Sequence, residues 1–402
     1  ARSGCCRSPL RSRAMPDVVL KPGRERSVLR RHPWVLSGAV ARVEGAPEPG
    51  AWVRVLSASG ETLGYGHYAP TSGLRVRLLA HGKDEPGPGL VAQRIHAAVE
   101  RRAGDPLLGD TEAVRLVNAE GDGLPGLIAD RFADLVVVKF TSAGMARQRD
   151  EIAQALREAS GAGAGFERAD SASRREAFAA HTGPLWGEPP APELWIRERS
   201  RAYRVDVEHG QKTGFYLDQR DARDLVQALA RGRRVLDLFA YTGGFSVAAA
   251  VGGAQSLTLV ESSAEALALA RVNLEANAPQ CEAELVRADA FQWLRGVDRA
   301  FDLVIADPPP LARARRDVDR AARAYKDLLL FALRRAAPGA LVLAFACSHH
   351  VGPELFRKIA FGASLDAQRS AQILRSLGAP TDHPVSIDHP EGSYLTGLLL
   401  RA

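Results

Sequence analysis

The stretch from Arg234 to Glu261, read together with Asp307-Pro308-Pro309, constrains this chain more than any other feature. Arg234-Val235-Leu236-Asp237-Leu238 is an apolar run of strand length, and Phe239-Ala240-Tyr241-Thr242-Gly243-Gly244 follows it as a glycine-bearing turn. Ala-rich Val247 to Ala250 suits a helix, and a second apolar run ends at Leu259-Val260-Glu261. A strand that is apolar throughout is buried on both faces, as in parallel sheets flanked by helices. The order strand, turn, helix, strand therefore predicts a nucleotide-type half of a doubly wound α/β fold.

In such a fold the ligand lies at the carboxyl ends of the strands, where glycine lets the backbone approach it. Glu261 ends the second strand, 24 positions after Asp237. A carboxylate there can hold both hydroxyls of a ribose. The turn lacks the full G-x-G-x-x-G that wraps a pyrophosphate, so the expected cofactor has a ribose and no diphosphate. S-adenosylmethionine (SAM) meets that description.

The remaining totals exclude several classes. A chain of 402 residues has room for two or three domains, and its 46% hydrophobic content is that of folded proteins. No run of 18 apolar residues occurs, so no transmembrane span and no membrane partner are expected, and the expected location is cytoplasmic. Cys5, Cys6, Cys281 and Cys347 have neither zinc-site spacing nor the look of a disulfide framework, so no metal is expected. Residues 1–16 are set aside as a non-native or disordered leader: Ala1 to Ala14 is rich in Arg, Ser and Cys with no apolar core, and Met15-Pro16 looks like a start. Net charge is +6, and all but six of the 53 cations are arginines. Arginine forks suit phosphate and stacked bases, while a GC-rich genome would give the same bias.

From Asp17 to His81 short β-type runs alternate with turn signals, as in Trp52-Val53-Arg54-Val55-Leu56 and Leu74-Arg75-Val76-Arg77-Leu78, which predicts a small β-barrel over 17–82. Lys21, Arg24, Arg26, Arg30, Arg31 and His32 crowd around Trp34, as an RNA-facing edge or as a solvated face. Residues 83–195 read as a linker and a small α+β domain with helices at Leu90 to Arg102 and Arg147 to Glu158; its acidic residues Glu120 and Asp122 read as turn formers. From 196 to 402 the alternation is that of a doubly wound domain, with a polar loop, His209 to Arg220, set over the cofactor ahead of the first buried strand.

Two further strand ends carry chemistry. Asp289 follows the strand Glu284 to Arg287, where it can meet an adenine amino group or cap a helix. Asp307-Pro308-Pro309 ends the next strand, and prolines there keep the chain extended and aim the carboxylate at the cleft, as a planar nitrogen heterocycle requires. Cys347 closes the strand after that, a position for a nucleophile as well as for a small core residue.

These segments resemble bacterial 23S ribosomal RNA large-subunit cytosine-5 methyltransferases, which have an N-terminal PUA domain and a class I SAM-dependent domain. The resemblance runs from Asp17 onward through Gly64 to Pro70, Gly210 to Arg220, Val235 to Ser246, Asp307 to Pro309, Cys347 to His350 and Pro390 to Leu395. One departure is Pro310-Leu311, where the family often has an aromatic at the second position. The resemblance implies an α/β class I methyltransferase fold behind a PUA-like barrel and a central α+β domain, with RNA rather than DNA as partner and a homodimer as one option. It implies that Asp237, Gly243, Glu261 and Asp289, with Lys212, Phe215, Phe239 and Asp307, surround SAM. It implies that Cys347 adds to cytosine C6 while Asp307 holds the N3/N4 edge. No residue identifies the base that removes the C5 proton; His349 and His350 are the neighbours on offer. Two other functions suit the same residues: methyl transfer to an exocyclic amine such as guanine N2, which needs no thiol, and RNA binding without catalysis.

Overall fold

The computed structural model describes residues 15–312 and 314–402; the leader expected over residues 1–16, with Cys5 and Cys6, lies outside these but for Met15 and Pro16. The first unit is a six-stranded sheet, β1 (Asp17–Leu20), β2 (Trp34–Leu36), β3 (Val40–Glu44), β4 (Trp52–Leu56), β5 (Thr62–Tyr68) and β6 (Leu74–His81), in the order β2-β6-β5-β4-β1-β3. Its end strands β2 and β3 follow one another through the turn Ser37–Ala39, so the sheet rolls back on itself as a half-barrel. Val18, Leu20, Val35, Val53, Val55, Val76 and Leu78 fill its inside.

The central unit is a second sheet, β7 (Ala113–Asn118), β8 (Leu127–Phe132), β9 (Leu135–Phe140), β10 (Ala164–Glu167) and β11 (Gly183–Trp186), under the helices Leu90–Ala103 and Arg149–Ser160. The expected helix from Arg147 is two pieces, because the chain leaves helical geometry at Gln148 between Ala143–Arg147 and Arg149–Ser160. The expected domain change at 195/196 falls inside β12 (Leu194–Glu198), which pairs residue for residue with β13 (Arg201–Val205). A hairpin cannot be divided between two units, so the change lies before Leu194. Asn273 and Asn277 hold the hairpin on the last domain: their side-chain oxygens accept from Arg204 and Ala202 backbone N–H groups at 2.7 and 2.8 Å.

The last unit carries seven strands: β14 (Arg234–Leu238), β15 (Ser256–Glu261), β16 (Ala283–Arg287), β17 (Phe301–Ala306), β18 (Ala336–Cys347), β19 (Gln372–Leu377) and β20 (Leu395–Arg401). Their order is β16-β15-β14-β17-β18-β20-β19, parallel from β16 to β18, with β20 antiparallel between β18 and β19. Side chains alternate along a strand, so each strand feeds two cores. Val235, Leu303, Ile305, Leu341 and Leu343 meet the helices Arg220–Leu229, Gly244–Val251 and Ala264–Asn277. Leu236, Val304, Ala306, Val342 and Ala344 meet the helices Ala290–Gly296, Val318–Arg335 and Pro353–Ala367. Truncating one of these buried leucines to Ala costs about 2–5 kcal/mol. The chain order reverses between β14 and β17, and in open α/β sheets a ligand binds at such a reversal, outside the carboxyl ends of the strands. Among the described residues no helix is long and apolar enough to cross a membrane.

Candidate functional site

The turn after β14 is wound tightly. Phe239 (φ 62°), Tyr241 (φ 49°) and Gly243 (φ 78°) are all left-handed, and bulky residues tolerate that only where surroundings hold them. The holding groups are visible. The Phe239 N–H donates to the Val260 carbonyl at 2.9 Å, and the Tyr241 N–H donates to Glu261 Oε2 at 3.0 Å. Gly243 begins the helix Gly244–Val251, and a Cβ there would lie 3.1 Å from the Ala270 Cβ. Gly243 is thus required both for φ and for close approach of the helix Ala264–Asn277.

The expected cofactor residues lie around this turn in differing states. Asp237 is buried and takes the Ser246 hydroxyl on Oδ2 at 2.6 Å, while its Oδ1 has no partner. Burial pushes its carboxyl up to about 7. Glu261 is half-buried; its Oε1 accepts from the N–H groups of Ser262 and Ser263 at 2.7 and 3.0 Å. Asp289 is exposed and caps the helix Ala290–Gly296 through the Gln292 N–H at 2.9 Å, so the capping role is present at this strand end. Phe239 meets Phe291 edge to face at 5.4 Å, forming one wall. Phe215 lies deeper, buried against Tyr203 with the Arg223 guanidinium 4.6 Å from its ring, where it seats the loop from beneath.

Next to them, β17 and β18 deliver Asp307 and Cys347 to one point. The Cys347 thiol donates to Asp307 Oδ1 at 3.6 Å, and the Gln219 side-chain amide donates to Asp307 Oδ2 at 2.9 Å. Burial, with the Asp218 charge added, pushes the Asp307 carboxyl up to about 7. Burial and the Asp307 charge push the Cys347 thiol well above its ordinary value. Lys212 pairs with Asp218 Oδ2 and stands 4.4 Å from the centre of the Tyr216 ring. The Tyr394 hydroxyl donates to the same Asp218 oxygen at 2.7 Å. Tyr394 comes from far along the chain because Leu395, its neighbour, pairs with Cys347 across β18 and β20. His349 and His350 lie with ring centres 3.8 Å apart and planes tilted by 44°, and Glu391 and His389 are the other titratable neighbours of His349.

Beneath the loop from His209 to Arg220 lies a frame of buried ion pairs. Glu198 accepts from both Arg223 and Arg201, with Arg220 3.8 Å away. Arg220 turns its other side to Asp382 Oδ2 at 2.9 Å, which also accepts the Arg115 N–H at 3.0 Å. Asp130 pairs with Arg115 at 2.7 Å and accepts the Thr213 hydroxyl. Central domain, loop and last domain are thereby tied together. Asp122, expected as a turn former, is buried in a two-pronged pair with Arg102 at 2.7 Å, and Glu120 accepts the Trp34 indole N–H at 2.8 Å.

Sequence reasoning missed Asp218, Gln219 and Tyr394. Asp218-Gln219 sits in the polar loop His209 to Arg220, but no local pattern says which of its side chains turn inward. Among the described residues no group of three or more His, Cys, Asp or Glu side chains could hold a metal ion.

Residues 18–81 match the PUA-like domain family, and residues 151–392 match the S-adenosylmethionine-dependent methyltransferase family. The chain is 38% identical over 390 residues to ribosomal RNA large subunit methyltransferase I of Erwinia tasmaniensis, covering 96% of this chain and 98% of that protein. It is 40% identical over 393 residues to the protein of the same name from Aeromonas hydrophila, covering 96% and 99%. Among solved structures, a candidate SAM-dependent methyltransferase from Streptococcus mutans shares the fold at TM-score 0.81 and 23% identity, over 96% of this chain and all of that one. A candidate methyltransferase complexed with SAH shares it at TM-score 0.82 and 24% identity, over 96% and 100%. The cofactor is SAM, and the site fits it: a partnerless buried carboxylate oxygen on Asp237, a glycine-bearing turn and a strand-end carboxylate on Glu261.

Proposed function

The chain belongs to the S-adenosylmethionine-dependent methyltransferase family, and on that premise we propose that it methylates C5 of a cytosine in large-subunit ribosomal RNA through a Cys347 adduct. The RNA substrate rests on the names of the relatives and on the PUA-like domain. The chemistry rests on one observation, the contact of the Cys347 thiol with Asp307 Oδ1 at 3.6 Å at the cleft.

SAM, when bound, supplies an electrophilic methyl group on sulfur. Asp237, Glu261, Gly243 and Phe239 are proposed to hold it, with Asp289 and Lys212 at its margins and Phe215 supporting the loop. Cytosine C5 is too weak a nucleophile to take that methyl unaided. Asp307, with its carboxyl near 7, takes the proton of the Cys347 thiol, whose own ionisation burial suppresses. The thiolate adds to C6, the C5–C6 electron pair shifts to make a C4–C5 double bond, and the displaced C4–N3 pair takes the Asp307 proton at N3. C5 is then enamine-like and nucleophilic. After methylation, loss of the C5 proton expels the Cys347 thiolate and restores the aromatic ring, and N3 gives its proton back.

The test is the Cys347→Ala variant together with RNA carrying 5-fluorocytosine. The variant should bind SAM and RNA yet transfer no methyl group, and the unaltered protein should form a stable covalent adduct, since fluorine cannot leave as a proton does. Near-normal turnover by Cys347→Ala would move the assignment to an exocyclic amine.

A further inference from the structure

We propose that Gln219 is the residue that reads the 4-amino group of the target base and so selects cytosine over uracil, an inference that rests on Cys347 attacking a pyrimidine C6. Gln219 is 2% exposed, and its two polar atoms are in opposite situations. Its nitrogen donates to Asp307 Oδ2 at 2.9 Å, while its oxygen is buried without a partner. The carboxylate fixes which way round the amide sits, because the flipped amide would set two oxygens against each other. A buried acceptor left unpaired is costly, so such a group is a place where a ligand donor is wanted.

The surroundings sharpen the demand. Asp218 Oδ1, on the neighbouring residue, is also buried and partnerless, its other oxygen being taken by Lys212 and Tyr394. The polar lining beside Asp307 therefore holds two buried acceptors that no donor of the chain satisfies. Cytosine brings an amino group at position 4, and uracil brings a carbonyl oxygen there. With N3 on Asp307 and C6 at Cys347, position 4 is the next polar edge of the ring, and Gln219 is the group already bonded to Asp307. A uracil in the same pose would set its O4 against the Gln219 oxygen, which is the arrangement by which sites built for a hydrogen bond reject an analogue strongly.

The experiment first locates the nucleotide methylated in an unmodified 23S ribosomal RNA transcript by mass spectrometry. Fragments carrying cytosine or uracil at that position, tritiated at C5, are then given to full-length protein, and tritium release is followed in single turnovers. The expected cytosine-to-uracil rate ratio is on the order of 10⁴ for the unaltered chain. In Gln219→Met and Gln219→Ala it should fall at least tenfold, through a slower cytosine reaction with uracil unchanged or faster, while melting temperature and calorimetric SAM affinity hold. Equal slowing of both bases would make Gln219 a mere support for Asp307 and overturn the proposal. Weakened SAM binding with an unchanged ratio would overturn it too, by giving the oxygen to the cofactor. If the unaltered chain forms no 5-methylcytosine, the parent reading fails, and that result is distinct from either.

Discussion

Glu198 and Asp307 are both carboxylates drawn out of water beside the same loop, yet their environments drive them in opposite directions. Burial alone would raise both. Around Glu198 three guanidinium groups, Arg223, Arg201 and Arg220, outweigh burial and hold the carboxyl down at about 2. Around Asp307 burial goes unopposed by a direct cation: the nearest charges include Asp218, whose own cation Lys212 is already engaged, and the carboxyl rises to about 7. Asp237 behaves as Asp307 does. A buried carboxylate with its cations is a fastener, and one without them keeps a proton within reach of neutral pH, where it can do chemistry. Burial thus does not separate framework from site; the count of cations does.

The contrast between the two carboxylates should be largest in stability. Glu198→Gln leaves the buried Arg223 guanidinium without the carboxylate it pairs with, while Arg201 and Arg220 keep Asp224 and Asp382, and removing one partner of such a cluster costs about 3–5 kcal/mol. Urea unfolding should show that loss. Asp307→Asn should cost no stability at pH 8, since it removes a carboxyl whose ionised form the fold disfavours, while abolishing methyl transfer. Two variants with equal stability would erase the distinction between the two carboxylates.

A pH series separates them next. Glu198 has a folded pKa below its ordinary 4.5, so its stabilisation is complete above about 4.5 and drains away as pH falls toward 2. Asp307 has a folded pKa above its ordinary 3.8, and the reaction needs it ionised at the outset. The kcat/KM should therefore rise about tenfold per pH unit up to about 7 and then level. Melting temperature should move the other way, falling as pH rises towards 7 and levelling above it, because in the fold Asp307 and Asp237 keep protons that the unfolded chain has already shed. A flat rate between pH 5.5 and 8 would remove Asp307 as the acceptor of the thiol proton.

The sequence showed these two regions unequally. Strand ends were legible: apolar runs of strand length, the glycine turn and Asp307-Pro308-Pro309 place Asp237, Glu261, Asp307 and Cys347 at one edge, because a parallel sheet has only one carboxyl edge. The frame was not. Glu198, Arg201, Arg220 and Arg223 look like ordinary surface charges in a chain this rich in arginine, and only the hairpin β12–β13 folding onto the loop buries them. Tyr394 reaches Asp218 across 176 positions through the antiparallel insertion of β20, a pairing that no local pattern encodes. Asp122 misleads for the same reason: a turn residue by its neighbours, a buried ion-pair partner by its place under Arg102.

The smallest expected effect lies where charges are neither buried nor paired. Arg24, Arg26 and Arg30 are exposed on the first sheet domain, around the short helix Arg26–Leu29, while Trp34 nearby is anchored to Glu120 and stacked edge-on with His389 at 4.4 Å. Deleting the whole domain is a poor test of RNA binding, because His67 fills a space against Gly144 and Leu79 belongs to the core of the central domain. Replacing the three arginines by glutamine leaves those contacts alone. If this face meets RNA phosphates, affinity for a 23S transcript should drop modestly at low salt. The slope of log affinity against log salt should also shallow by about 0.7–0.9 for each phosphate that is no longer neutralised. Charges that merely face water would leave both affinity and slope as they were, and stability should hold in either case, since exposed cations of this kind contribute about 0–1 kcal/mol at most.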